Sequence, residues 1–255
     1  MLTQTLLAVL APLAAWLLIS GATFVRRSSP GEGVHRFAAG VALSAITLSW
    51  FLSFGLLRAA LGGETVAGSW AWLSVGSVTF DATLGVDRLT AVMLSVVSTV
   101  SLLVQVYSLG YLHGDSHFPR FYAVVSLFTF AMLLLVVARD YLLLLLAWEL
   151  MGVCSHLLIG HYFTTEAAQR ASVKAFLTTR LGDVGLFLAL MVLFAATGTL
   201  TFAGVEARLP GLAPGTVTLA ALGLFAAAAG KSAQVPLHVW LPDAMAGPTP
   251  VSALI

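Results

Sequence analysis

The chain has 255 residues, of which 59% are hydrophobic and only 9% are Lys, Arg, Asp or Glu, against about 25% charged in an ordinary soluble domain. A soluble fold of this length could not cover its surface with so few charges, which excludes a cytosolic globular enzyme, a nucleic-acid binder and a disordered chain. Twelve basic and eleven acidic residues nearly cancel, leaving no basic face for a phosphate backbone, so the composition defines an integral membrane protein.

A crossing helix needs ~20 apolar residues to traverse ~30 Å of hydrocarbon. Seven segments qualify: 2–20, 37–61, 89–111, 121–138, 141–162, 171–197 and 216–241. The expected fold is therefore an all-α, polytopic transmembrane bundle. Helices satisfy their own backbone polar groups in lipid, and the alternating segments of a membrane barrel are absent. The first segment is not a signal peptide, because the first positive charges, Arg26 and Arg27, follow the apolar run rather than precede it. With Arg36 they favour the first loop as cytoplasmic, with the N-terminus outside.

Between spans two and three, segment 62–86 carries Trp70, Trp72, Val75, Val78 and Phe80 among Gly, Ser and Thr. Its partial alternation predicts a small hairpin on the membrane surface. Residues 1–86 then form an N-terminal region, and 87–255 the first part of a larger helical domain. Segment 198–215 reads as a loop with an interfacial turn. At the end, Thr249 is the expected N-cap and Pro250 the first helical residue of an eighth span. One turn of membrane helix is not stable alone, so the sequence reads as a piece of a longer chain.

Charge is expensive in a bilayer, ~2.5–3.5 kcal/mol at the centre on insertion scales, so the exceptions inside apolar runs are the informative residues. Glu149 lies mid-span, with Gly152 and His156 on the same helix face. Burial of a carboxylate favours its neutral form unless a cation stands beside it, and Gly152 lets another helix approach closely. Lys231 follows a long Ala-rich run, with Pro236 after it. Proline removes an N–H donor and breaks or kinks the helix beside the lysine, and broken membrane helices next to charges are how transporters build ion sites.

Arg180 and Asp183 in the sixth span are i, i+3 neighbours that can pair, either as a neutral structural pair or as part of a route. Lys174 is either on that route or reaching the surface by snorkelling. His156 is either a proton relay or a satisfied core histidine, and His161 at the helix end reads as interfacial. Ser155, Thr178, Thr179, Ser232 and Gln234 could support a file of water. No nucleophile–base pair, phosphate loop, haem or iron–sulfur spacing is present. The single Cys154 excludes an internal disulfide, and the spacing of His113, Asp115 and His117 is weak evidence for metal. No catalytic, cofactor or metal site is expected in this chain.

These residues sit in motifs that resemble a known family. The runs WELMGVCSHLLIG (148–160), KAFLTTRLGD (174–183), GKSAQVPL (230–237) and WLPDAMAGPTPVSALI (240–255), with WLSVG (72–76), are similar to the subunit L (subunit 5) family of antiporter-like subunits of proton-translocating NADH:quinone oxidoreductase, respiratory complex I. The resemblance covers nearly the whole chain. It implies an all-α bundle with a broken seventh helix, and a central glutamate and lysine pair that maps onto Glu149 and Lys231. It also implies partner membrane subunits that do the redox work, while this one couples it to proton translocation. Separation of the pair would then drive the lysine's proton out.

The family often has Tyr at the place of His156, and its members continue into a second, symmetry-related bundle. Other homes for these motifs are the large subunit of a multisubunit sodium/proton antiporter, an inorganic-carbon uptake subunit and a membrane hydrogenase subunit. The expected location is a bacterial inner membrane.

Overall fold

The computed structural model describes residues 1–25, 32–76 and 78–255. Arg26 and Arg27, which carry most of the orientation argument, lie outside the described residues, as do the side chains of Val75 and Val78. Among the described residues, six helices are long and apolar enough to cross a membrane: α1 (Leu2–Val25), α2 (Glu32–Leu61), α3 (Arg88–Tyr111), α4 (Phe118–Val137), α5 (Tyr141–Ile159) and α6 (Glu166–Thr197). Between α2 and α3 runs the antiparallel hairpin of β1 (Val66–Val75) and β2 (Val78–Val86). After α6 come the short α7 (Phe202–Arg208), then α8 (Pro214–Lys231), two 3-10 turns at Leu237–Trp240 and Asp243–Ala246, and α9 (Thr249–Leu254).

The centre of the bundle is α4. Two-thirds of its span, 67%, is buried, against 28% to 50% for the other five. Phe121, Tyr122, Phe128 and Leu133 fill the two largest apolar clusters. Several buried polar groups there pair across the helices, which offsets their desolvation. Ser101 and Thr129 share a hydrogen bond of 2.6 Å across α3 and α4, and the Tyr122 hydroxyl donates to the Gln105 carbonyl at 2.7 Å.

The hairpin is tied to the helix ends. The Arg139 N–H donates to the Thr83 carbonyl at 2.8 Å, and the Thr83 N–H donates to the Asp140 carboxylate at 2.8 Å. The same Asp140 caps α5 by accepting from the Leu143 N–H at 2.7 Å. Burial raises Asp140 above the ordinary carboxylate range. Asp87 caps α3; the Thr90 N–H first, then Arg139, holds its carboxyl down to about 2. Ala82, Leu84 and Val86 face the core while Trp70, Trp72 and Leu73 remain exposed, the one-sided burial expected of a surface hairpin.

Helices α6 and α8 approach backbone to backbone. A Cβ at Gly223 would lie 2.4 Å from the Gly185 carbonyl oxygen, and one at Gly182 would lie 2.8 Å from that of Ala226. Small residues permit this distance and dispersion holds it. The crossing sets Gly230 against Gly182, at the midpoint of α6. It therefore carries Lys231 to the middle level of the bundle.

The seventh segment differs from the expected 216–241 span. Helix α8 is 18 residues, or ~27 Å at 1.5 Å per residue, and ends at Lys231, ahead of Pro236. Residues before a proline disfavour helix, and the proline itself cannot continue the hydrogen-bond ladder. The chain closes instead through Ala233, left-handed at φ 50°. The Gln234 N–H bonds to the Ala229 carbonyl and the Ala233 N–H to that of Gly230, a Schellman closure that usually takes glycine. Lys231 thus ends the helix, where the carbonyl dipoles favour a cation. In α9, Thr249 is the first helical residue rather than the cap; its hydroxyl donates to the Tyr111 oxygen at 3.2 Å, and Pro248 takes the cap position.

Candidate functional site

Glu149 stands at the middle of α5, Arg180 and Asp183 at the middle of α6, and Lys231 at the end of α8. Arg180 is shared by two carboxylates: it ion-pairs with Glu149, and its Nη1 lies 3.6 Å from Asp183 Oδ2. The Trp148 indole N–H donates to Asp183 Oδ1 at 2.6 Å. Glu149 Oε1 and Asp183 Oδ2 are buried and accept no hydrogen bond. The guanidinium also stacks 4.6 Å from the Phe176 ring centre, a cation–π contact that helps to compensate its desolvation.

Lys231 joins this group through a gap. A Cβ on Gly152 would sit 3.1 Å from Lys231 Nζ and 3.3 Å from Arg180 Nη2. Gly152 therefore clears space for two cationic side chains rather than only for a neighbouring backbone. The ammonium lies 5.9 Å from the Trp148 ring centre. Among the described residues Lys231 has no carboxylate within ion-pair distance; the partner of Glu149 is Arg180. Two acids and two bases so form one neutral set when all are ionised. Lys231 also lines a cavity of about 270 Å³ with Ser155, Thr179 and Ser232. Of the hydroxyl and amide groups expected to hold water, Thr178 and Gln234 are not on its wall.

His156 sits on the same side of α5 as Glu149, toward α6. Its Nδ1 lies 3.0 Å from the Ser172 carbonyl oxygen. A carbonyl only accepts, so Nδ1 carries the hydrogen and Nε2 remains the basic nitrogen when the ring is neutral. Lys174 pairs with Asp243 at 2.5 Å, both about half exposed. The sequence reading missed Asp243 and Trp148: neither breaks the apolar pattern expensively, and both partnerships are interhelical. Among the described residues no group of three or more His, Cys, Asp or Glu is arranged to hold a metal ion.

Residues 138–255 match the family described as "NADH:quinone oxidoreductase/Mrp antiporter, TM", and residues 72–122 match "NADH-Ubiquinone oxidoreductase (complex I), chain 5 N-terminus". The chain is an integral, multi-pass membrane protein of this antiporter-like class. Its fold is similar to a chain in the structure of the Mrp complex from Dietzia sp. DQ12-45-1b, with a TM-score of 0.79, 27% identity, and coverage of 97% of this chain and 26% of that one.

It is a homologue of NADH:quinone oxidoreductase subunit L, called chain 5 in organelles. It is 44% identical to NADH-ubiquinone oxidoreductase chain 5 of Metridium senile over 93% of this chain. It is 41% identical to NADH-quinone oxidoreductase subunit L of Neisseria meningitidis serogroup A over all of it. The chain spans 39% of the length of each of these two relatives.

Proposed function

We propose that the protein serves as a membrane subunit of a proton-translocating NADH:quinone oxidoreductase. Electron transfer in partner subunits would drive protons through Glu149, Arg180, Asp183 and Lys231, with His156 and Lys174 toward one end of the route. The observation that carries this reading is the placement of Lys231, without an ion-pair partner among the described residues, beside an arginine shared by two carboxylates and on the wall of a hydroxyl-lined cavity.

In a low-dielectric interior, moving one charge strongly changes the cost of the next. When Arg180 moves from Glu149 toward Asp183, Glu149 loses its counter-ion and Lys231 loses the net negative field of Asp183. The first change draws positive charge to Glu149; the second releases the lysine's proton into the cavity. On this reading the redox reaction itself belongs to partner subunits. The cavity lined by Glu32, His35, Arg36 and His113 joins the start of α2 to the α3–α4 loop. Arg36 lies at that end, and with Arg26 and Arg27 shortly before it in the sequence it favours that end as the cytoplasmic side, with the N-terminus outside a bacterial inner membrane.

The test uses the full-length protein assembled with its partners in vesicles. Lys231→Met and Glu149→Gln are expected to abolish most proton movement per electron pair while assembly stays intact. Unchanged pumping in Lys231→Met defeats the reading, and a loss of assembly alone assigns these charges to structure. The likeness to the Mrp complex favours a second reading, a sodium/proton antiporter subunit. An imposed sodium gradient that moves protons without NADH would select it.

A further inference from the structure

A second cluster of titratable groups lies at the loop end of the bundle, and the sequence pattern gave it no role. His161, just beyond α5, is 2% exposed, yet its Nε2 lies 3.1 Å from Asp115 Oδ2 in the α3–α4 loop. The other Asp115 oxygen accepts from the His117 backbone N–H at 2.6 Å, and it lies 3.8 Å from His117 Nδ1. The Ser116 hydroxyl is within 3.1 Å of the same imidazole nitrogen.

Charge also approaches from α4. Arg120 lies 4.8 Å over the Phe163 ring, and His117 meets the same ring edge-on at 4.8 Å. The groups facing His161 are thus Asp115 and His117 from one loop, Arg120 from α4, and Tyr162 beside it, with the Tyr111 hydroxyl near Tyr162.

This cluster borders a cavity of about 360 Å³ lined by Arg120, Phe163, Gly160, Gln169, Ser172 and His156. His156 also lines it, and with Nδ1 against the Ser172 carbonyl its Nε2 is the basic nitrogen of the neutral ring. The next residue, Ser155, lines the cavity that holds Lys231. Both cavities therefore border the same turn of α5, with His156 on the wall of the first and the Asp115–His117–His161 cluster beside its Arg120 and Phe163.

We propose that Asp115, His117 and His161 form a proton-collecting site at the mouth of an inlet, which runs past Arg120 and Phe163 to His156 and on to the Lys231 cavity. The inference rests on the proton-translocation reading above. The chemistry is transfer between neutral and protonated imidazole: a proton arriving from water adds to a basic ring nitrogen of the cluster, and leaves toward His156 through water in the cavity. Asp115 is the positioning residue, because its carboxylate fixes the His161 ring and stabilises the imidazolium. Arg120 opposes prolonged charging, so the proton is handed on rather than held.

The experiment measures coupled turnover and proton uptake against pH in the full-length protein assembled in vesicles. His161→Gln keeps a hydrogen-bond donor toward Asp115 but cannot titrate. It is expected to slow turnover several-fold at pH 8.5, where protons are scarce, and to leave the rate at pH 6 unchanged. In 15N-histidine spectra of the same complex, one titrating imidazole should vanish in His161→Gln, and Asp115→Asn should displace its midpoint to lower pH. An unaltered pH profile overturns the inlet, as does a loss equal at all pH values or confined to assembly. Lys231→Met separates the two levels: if it stops pumping while His161→Gln changes nothing, only the inlet falls. If Lys231→Met leaves pumping intact, the translocation reading itself falls.

Discussion

The glycine seam between α6 and α8 makes a quantitative prediction, because it sets Lys231 at the level of Arg180. In Gly223→Ala the new Cβ would lie 2.4 Å from the Gly185 carbonyl oxygen and 3.0 Å from Ala189 Cβ, whereas ordinary contact begins near 3.4 Å. The shortfall is 1.0 Å (3.4 less 2.4). The obstructing atom belongs to a helix backbone, so it cannot rotate away, and the helices must part by about that distance. Overpacking of this kind costs ~1–3 kcal/mol. It should also withdraw Lys231 from the space beside Gly152, so proton pumping should fall together with thermal stability.

Gly40 in α2 is the control: a Cβ there meets nothing within 4 Å. Gly40→Ala should be neutral, or gain up to ~1 kcal/mol from helix propensity. The assay is the thermal unfolding midpoint of the detergent-solubilised full-length protein, alongside pumping in vesicles. If Gly223→Ala matches Gly40→Ala in both, the seam does not position the lysine and the argument fails.

Three further outcomes are expected. Trp148→Phe removes the donor to Asp183 at 2.6 Å and leaves that buried carboxylate without a hydrogen bond; a loss of ~1.5–3 kcal/mol is expected for a charged acceptor, read as a lowered unfolding midpoint. Asp140→Ala removes both the α5 cap and the tie to Thr83. It should cost ~1–2 kcal/mol and open the hairpin to limited proteolysis. The loop tie between Asp115 and His161 should weaken in acid.

The sign for that tie follows from both partners. Burial lowers His161 below its ordinary value by more than Asp115 raises it. Burial pushes Asp115 up, but the His117 N–H and His161 outweigh it and hold the carboxyl low. For both groups the unfolded chain binds more protons, so stability is full above the unfolded values. It declines below about pH 6.5 for His161 and, further down, as Asp115 titrates. Hydrogen exchange at 112–117 and 160–165 should quicken from pH 8 to pH 5, and a slowing would contradict the assignment.

What the sequence disclosed follows the physics that each feature depends on. The ends of α3, α4, α5 and α6 were legible within a few residues because hydrocarbon thickness sets the apolar length. Glu149, Arg180, Asp183 and Lys231 were legible because charge in that interval is costly, a property of position along the chain. Pairing is a property of two helices at once. The i, i+3 rule named Asp183 as the neighbour of Arg180, but whether the guanidinium also reaches Glu149 depends on how α5 meets α6, which no local pattern encodes.

The same limit hid Asp115 from His161, 46 residues apart in the chain, and Asp243 from Lys174. Pro236 announced a break without locating it. The helix stops earlier, at Lys231, because a Schellman closure needs room before the proline, and the chain accepts a left-handed Ala233 to obtain it. That placement leaves the ammonium at a helix C-terminus, which stabilises its charge without a carboxylate directly against it. On the proposed reading, a lysine held partly by backbone dipoles would release its proton when Arg180 shifts between Glu149 and Asp183, whereas one locked in a tight ion pair would have to break that pair first.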